Sequence, residues 1–157
     1  MPQKVKIEIT NRQTIKRLNL KKISFFSRKI IALLSCTAKN SKKFKINPSA
    51  RISLLFCDNK IIKRLNKKYF RKTSSTDVIT FPLQDKLDPD YLGEVIISVE
   101  EALKASEDSG YNWEKEIILY LVHGILHLIG YNDVTRSAKK IMERQQKKIL
   151  DKVYTDY

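Results

Sequence analysis

Hydrophobic and polar positions along the chain fall into short periodic segments. Residues 5–9 (VKIEI) alternate and predict a first strand. Phe25, Ile30, Ile31 and Leu34 recur at helical spacing, which predicts a helix over residues 24–38. The apolar run ISLLFC (residues 52–57) predicts a second strand. Asp58 or Asn59 then caps a helix carrying Ile61, Ile62 and Leu65. TSST (residues 73–76) has no helical pattern and reads as a loop. VITF (residues 78–81), ended by Pro82, predicts a third strand, and residues 86–90 with Pro89 a further loop. Val95, Ile96 and Ile97 follow Gly93 as a fourth strand.

Three helices complete the pattern. Ser98 and Glu101 have capping-box spacing, so a helix starts there and stops near Ser109-Gly110. Asn112 caps the next, which runs apolar almost all round from Ile117 to Ile129, so that it belongs in the core, and Gly130 stops it. The last, residues 134–150, presents Val134, Ala138, Ile141, Met142 and Ile149 as its apolar face; Met142 belongs to that face rather than to a metal site. This order predicts an α+β fold of mixed α/β layers, with a small central sheet of about four strands and about five helices.

Composition narrows the class. A chain of 157 residues fits a single domain, residues 1–157, large enough to bury a core without disulfides. Cys36 and Cys57 lie in apolar stretches and read as buried free thiols, which with the absence of a signal-peptide pattern points to a cytoplasmic protein. The most apolar stretch, residues 23–37, is too short to span a bilayer and is interrupted by Arg28 and Lys29, so no membrane is expected. The net charge of +14 is unevenly spread. Between Arg12 and Lys72 about nineteen Lys or Arg face one acid, Asp58, whereas from Thr73 onward acids outnumber bases. One half of the chain is suited to a polyanion, nucleic acid first of all.

The chain's 2 histidines, His123 and His127, lie four apart in LVHGILHLIGYND. On a helix this spacing sets both imidazoles on one face, one turn apart, where two neutral nitrogens can reach one metal ion. Gly130 lets the chain turn back, and Asp133 can offer a carboxylate oxygen. Three protein ligands leave zinc a fourth position for water, the layout of a catalytic site. Two histidines satisfied by hydrogen bonds in a core helix are the bland alternative. The spacing H-x-x-x-H-x-x-G-x-x-D has the shape of the metzincin helix, but those peptidases place Glu after the first His as general base, and here that residue is Gly124.

HGILHLIGYND resembles the H-G-x-L-H-L-x-G-Y-D-H signature of the YbeY-type rRNA maturation endoribonucleases. LNKKYFRKTSSTDVITFP (residues 65–82) is similar to that family's L-N-x-x-Y-R-x-K-D-x-P-T-D-V-L-S-F-P, and LGEVIIS (residues 92–98) to its L-G-D-I-x-I-S. The resemblance covers about residues 50–150. It implies a zincin-like metal helix, with one zinc ion per chain held by His123, His127 and the residue at 133. It also implies hydrolysis of single-stranded RNA in 16S 3′-end maturation and ribosome quality control, with rRNA, ribosomal particles and ribosomal proteins as partners. It leaves the oligomeric state open.

The chain departs from that pattern in places. The third ligand position holds Asp133 instead of His, and Asn132 replaces an Asp. An Asp still ligates zinc through oxygen, but two imidazoles and a carboxylate leave less positive charge on the ion. The family Arg falls at Phe70 in an ungapped alignment; Arg71 lies one position later, and Lys72 matches the family Lys, so that Arg71 or Lys72 is the candidate catalytic cation. Ser75 replaces a Pro, and Thr76 and Asp77 keep the family pattern, as substrate-orienting groups or as shapers of the turn. Two other classes stay open on sequence: a non-catalytic rRNA-binding assembly factor with a structural metal, and a metallopeptidase.

Overall fold

The computed structural model describes residues 4–37 and 46–155. The expected helix end at Ala38, and four lysines of the basic segment (Lys39, Lys42, Lys43, Lys45), lie outside the described residues. The elements run β1 (Lys6–Asn11), α1 (Leu20–Thr37), β2 (Arg51–Cys57), α2 (Asn59–Phe70), β3 (Val78–Pro82), β4 (Tyr91–Ser98), α3 (Val99–Ser109), α4 (Trp113–Leu128) and α5 (Arg136–Thr155). This is the α+β layered fold expected from the pattern. The described strands form one sheet in the order β1-β2-β4-β3. β1, β2 and β4 are parallel, with Leu54 opposite Ile9 and Val95; β3 pairs antiparallel to β4, with Thr80 opposite Val95. Pro82 ends β3 on the sheet edge, where the donor it lacks is not needed.

Alternation along the strands sorts side chains to two faces. Ile52, Leu54, Phe56, Val95 and Ile97 enter the main core with α1, α4 and α5 (Phe26, Ile30, Leu121, Ile125, Met142, Ile149). On the opposite face Cys57, Ile79 and Ile96 meet Ile62 of α2, flanked by Leu65 and Phe81. The caps follow the sequence. Asp58 accepts from the Ile61 N–H at 2.9 Å, Asn112 from Lys115 at 2.9 Å, and Ser98 from Glu101 at 3.2 Å. The reciprocal half of the Ser98–Glu101 capping box is not made. Glu101 Oε1 instead accepts from Asn59 Nδ2 at 2.6 Å and Ser75 Oγ at 2.9 Å, tying α3 to α2 and to the TSST loop.

Two expectations are corrected. Cys57 is buried, but Cys36 is exposed, because the buried stripe of α1 (Ile23, Phe26, Ile30, Ile31, Leu34) leaves position 36 on its outer side. The last helix begins at Arg136, so Val134 is 86% exposed in the preceding turn, and Ile141 is 55% exposed. The buried stripe of α5 is Met142, Ile149 and Val153, one turn further along than the sequence implied. No helix among the described residues is long and apolar enough to cross a membrane.

Candidate metal centre

The site is built on α4 and the turn that follows it. α4 approaches the sheet at Gly124, where an added Cβ would stand 2.5 Å from Val95 Cγ1 and 3.3 Å from Thr80 Cγ2. The residue after the first histidine therefore faces the sheet, and a glutamate there would have no room. Beside this contact His123 and His127 are half-buried. α4 ends in a Schellman motif: the Tyr131 N–H donates to the Leu126 carbonyl at 3.1 Å, and Gly130, with φ 106°, donates to that of His127 at 3.1 Å. The left-handed residue reverses the chain. It lays the Tyr131 carbonyl on His127 and brings Asp133 back beside the helix.

Hydrogen bonds set the two imidazoles. His127 Nδ1 lies 3.1 Å from the Tyr131 carbonyl oxygen. That oxygen only accepts, so Nδ1 carries the proton and Nε2 keeps its lone pair in the neutral ring. His123 Nδ1 faces Gln146 Oε1 of α5 at 3.0 Å, which selects the same tautomer. Both Nε2 atoms then converge, 3.1 Å apart. Burial, aided by His123, pushes the His127 pKa below its ordinary value of 6.5, against the opposing pull of Asp133 and the Tyr131 carbonyl. A Asp133 carboxylate oxygen lies 4.0 Å from His127 Nε2.

This donor set fits one small cation. Two neutral lone pairs pointed at each other at 3.1 Å repel unless a proton or a metal ion lies between them. Zinc bonds of about 2.0 Å in a tetrahedron place ligand atoms roughly 3.3 Å apart. The histidine nitrogens come close to that spacing, and all three ligand atoms lie within 4.8 Å of one another, with Asp133 exposed.

The candidate cations separate. Lys72 lines a cleft together with Asn66, Phe70, Ser74, Ser75, Thr76, Thr80 and Asp133, beside the histidine pair. Arg71 is not among those lining residues; it is exposed and terminates α2 in a left-handed conformation (φ 57°, ψ 25°), its N–H bonded to the Lys67 carbonyl at 3.2 Å. Thr76 and Asp77 shape the turn: Asp77 Oδ1 accepts from the Val78 N–H at 2.8 Å and from Thr76 Oγ1 at 3.2 Å, and the Asp77 carbonyl accepts from the Ser98 N–H at 2.9 Å. Sequence reasoning missed Gln146 as the partner of His123. A polar residue four after Met142 and three before Ile149, on an otherwise apolar stripe, was its signal.

Comparison with known proteins agrees with the geometry. The family profile described as Endoribonuclease YbeY matches residues 8–154. The chain is similar to Endoribonuclease YbeY of Carboxydothermus hydrogenoformans, with 37% identity over 63% of this chain and 69% of the relative. It is also similar to that of Syntrophomonas wolfei, with 29% identity over 84% and 91%. Among solved structures, the solution structure of a Thermotoga maritima protein shares the fold with a TM-score of 0.64 at 22% identity, covering 96% of this chain and 90% of that one. Three sequence blocks in matching order, the layered fold and the converging histidines are thus all accounted for together: the chain belongs to the YbeY endoribonuclease family.

Proposed function

We propose that this protein is a single-domain, cytoplasmic, zinc-dependent endoribonuclease that hydrolyses single-stranded RNA during rRNA maturation. Family membership supports the RNA substrate and the hydrolytic reaction. The observation that carries the metal assignment is the pair of Nε2 atoms 3.1 Å apart, each with its Nδ1 facing a carbonyl-type oxygen. His123, His127 and Asp133 are the residues that would hold the ion. When bound there, zinc supplies Lewis acidity toward a phosphoryl oxygen and acidifies a water.

The chain's own residues provide the rest. Lys72, in the cleft with Asp133, offsets negative charge growing on the phosphoryl group. Arg71, exposed at the end of α2, adds to the basic surface. Lys60, Lys63, Arg64, Lys67 and Lys68 of α2 hold the RNA backbone through charge, without reading its sequence. A peptidase is disfavoured because Gly124 faces the sheet, where a general base has no space. The buried Cys57 thiol, its pKa pushed up to about 12 by burial, is not a nucleophile.

Elemental mass spectrometry of the purified full chain tests the centre directly. Near one zinc per chain is expected for the natural protein and none for His123→Ala/His127→Ala, with RNA cleavage lost in the variant. Zinc-free natural protein after incubation with the metal, or cleavage that survives in the variant, would overturn the assignment.

A further inference from the structure

Phe70 stands out among the residues of the cleft. It is the last residue of α2, it lines the cleft with Lys72 and Asp133, and 47% of its surface stays exposed. One side of the ring packs on Phe81 of β3, with centroids 6.0 Å apart and planes inclined by 12°. Tyr69, 53% exposed, meets the same Phe81 edge-on at 4.9 Å, and Lys68 Nζ lies 5.2 Å from the centre of the Tyr69 ring. In the local sequence KKYFRK the two rings, packed on a third, are preceded by Lys67 and Lys68 and followed by Arg71 and Lys72, with Lys68 near Tyr69 and Lys72 in the cleft with Phe70. A phenylalanine that served only to cover β3 would bury its ring; this one covers Phe81 and keeps much of its surface open.

We propose that Phe70 is a stacking platform for an unpaired nucleobase of the RNA lying next to the phosphate held in the cleft. The inference rests on the nuclease reading and adds to it a means of recognising single strands. An aromatic face accepts any base, so it selects unpaired over paired RNA without reading sequence, while the flanking cations hold the backbone. A duplex keeps its bases stacked on one another and cannot offer one to Phe70 without breaking a pair. Charge commits the surface to nucleic acid: the segment KKYFRK that carries the rings holds four cations and no acid, and Lys72 shares the cleft with Phe70.

The test measures binding by the full chain with metal chelated, so that RNA stays intact. The probes are a fluorescent short oligoadenylate and an abasic ribose-phosphate chain of the same length. Base–aromatic stacking leads us to expect Phe70→Ala and Phe70→Leu to bind the oligoadenylate about fivefold to a hundredfold more weakly. Phe70→Trp should match or exceed the natural protein. All four should bind the abasic chain alike, with an unchanged salt dependence, since no phosphate contact is lost. Phe70→Leu keeps an apolar cover over Phe81 without an aromatic face, so it separates stacking from folding. Equal binding of oligoadenylate by the natural protein and Phe70→Leu would overturn the proposal, as would an equal loss on the abasic chain. If such protein still cleaves RNA once metal is restored, only the stacking role fails. If the natural protein binds neither probe, the RNA reading falls with it.

Discussion

At the residue scale, two side chains make predictions that do not depend on identifying the substrate. Gln146 accepts from His123 Nδ1 and so fixes which nitrogen faces His127 and the candidate metal position. Partners of this kind typically change metal affinity by about 10–100-fold when removed. Gln146→Leu, close in volume and on the face of α5 that carries Met142 and Ile149, is expected to weaken zinc binding by that factor in a competition titration, while thermal stability changes little. Unaltered affinity would mean that the tautomer is set by something else. Arg71 holds a left-handed backbone that a residue with a Cβ adopts at a cost of about 1–2 kcal/mol. Glycine relieves that cost but loses more freedom on folding, about 0.5–1 kcal/mol. Arg71→Gly is therefore expected to gain about 0.5–1 kcal/mol in urea denaturation. A loss of stability would show that the guanidinium anchors the end of α2.

At the scale of elements, α4 is positioned by the residue it lacks. Gly124 lets the helix sit on Val95 and Thr80. Gly124→Ala gains roughly 1 kcal/mol in helix propensity but forces a Cβ to 2.5 Å from Val95 Cγ1. Overpacking of this kind costs about 1–3 kcal/mol. A net loss of about 1 kcal/mol is expected, recovered in part by adding Val95→Ala. Gly124→Ala no less stable than the natural protein would show that the helix can lift without penalty.

The loop that carries Lys72 to the cleft is tied down by Glu101. Burial alone would raise its carboxyl, but hydrogen bonds from Asn59 and Ser75 and the charge of Lys104 outweigh burial and hold it below its ordinary value of 4.5. A carboxyl lowered on folding stabilises the protein above its unfolded value, and that contribution disappears as the pH falls through the folded one. The stability difference between the natural protein and Glu101→Gln should therefore be constant above about pH 5 and shrink as the pH falls below 4.5. Denaturation across this range measures it, and a difference independent of pH would assign the loss to packing alone.

At the scale of the whole molecule, the sheet order β1-β2-β4-β3 decides what meets what. Because β4 lies between β2 and β3, α4 can settle over β3 and β4, and Asp133, after α4, comes to the same cleft as Lys72, before β3. The basic helix α2 packs on the opposite face of the sheet from α1, α4 and α5, with its C-terminal end at that cleft. From one side α2 brings Tyr69 and Phe70 toward the cleft, and from the other α4 and its turn bring His123, His127 and Asp133, the group that could hold a metal ion.

Much of this was determined by the sequence alone, for physical reasons that act locally. Period and caps located every element, since a hydrogen bond from Asp58, Ser98 or Asn112 to an N–H three residues on needs no distant partner. The same holds for the histidine pair, whose common face is a property of the helix itself, and for the turn at Gly130. What the tertiary structure decided involves groups far apart in the chain. The side of α5 that is buried was misread at Val134 and Ile141 because helix phase over a long polar stretch is set by what it packs against. Gln146, 23 residues from His123, finds it only through the α4–α5 interface. Glu101 abandons a local capping bond for Asn59 and Ser75, since a carboxylate gains more from two side-chain donors than from one backbone N–H. The placement of Arg71 and Lys72 is of the same kind. Neighbours in sequence, they diverge because one residue turns left-handed and the next enters the cleft, a difference set by the backbone at the end of α2 and invisible in their chemistry.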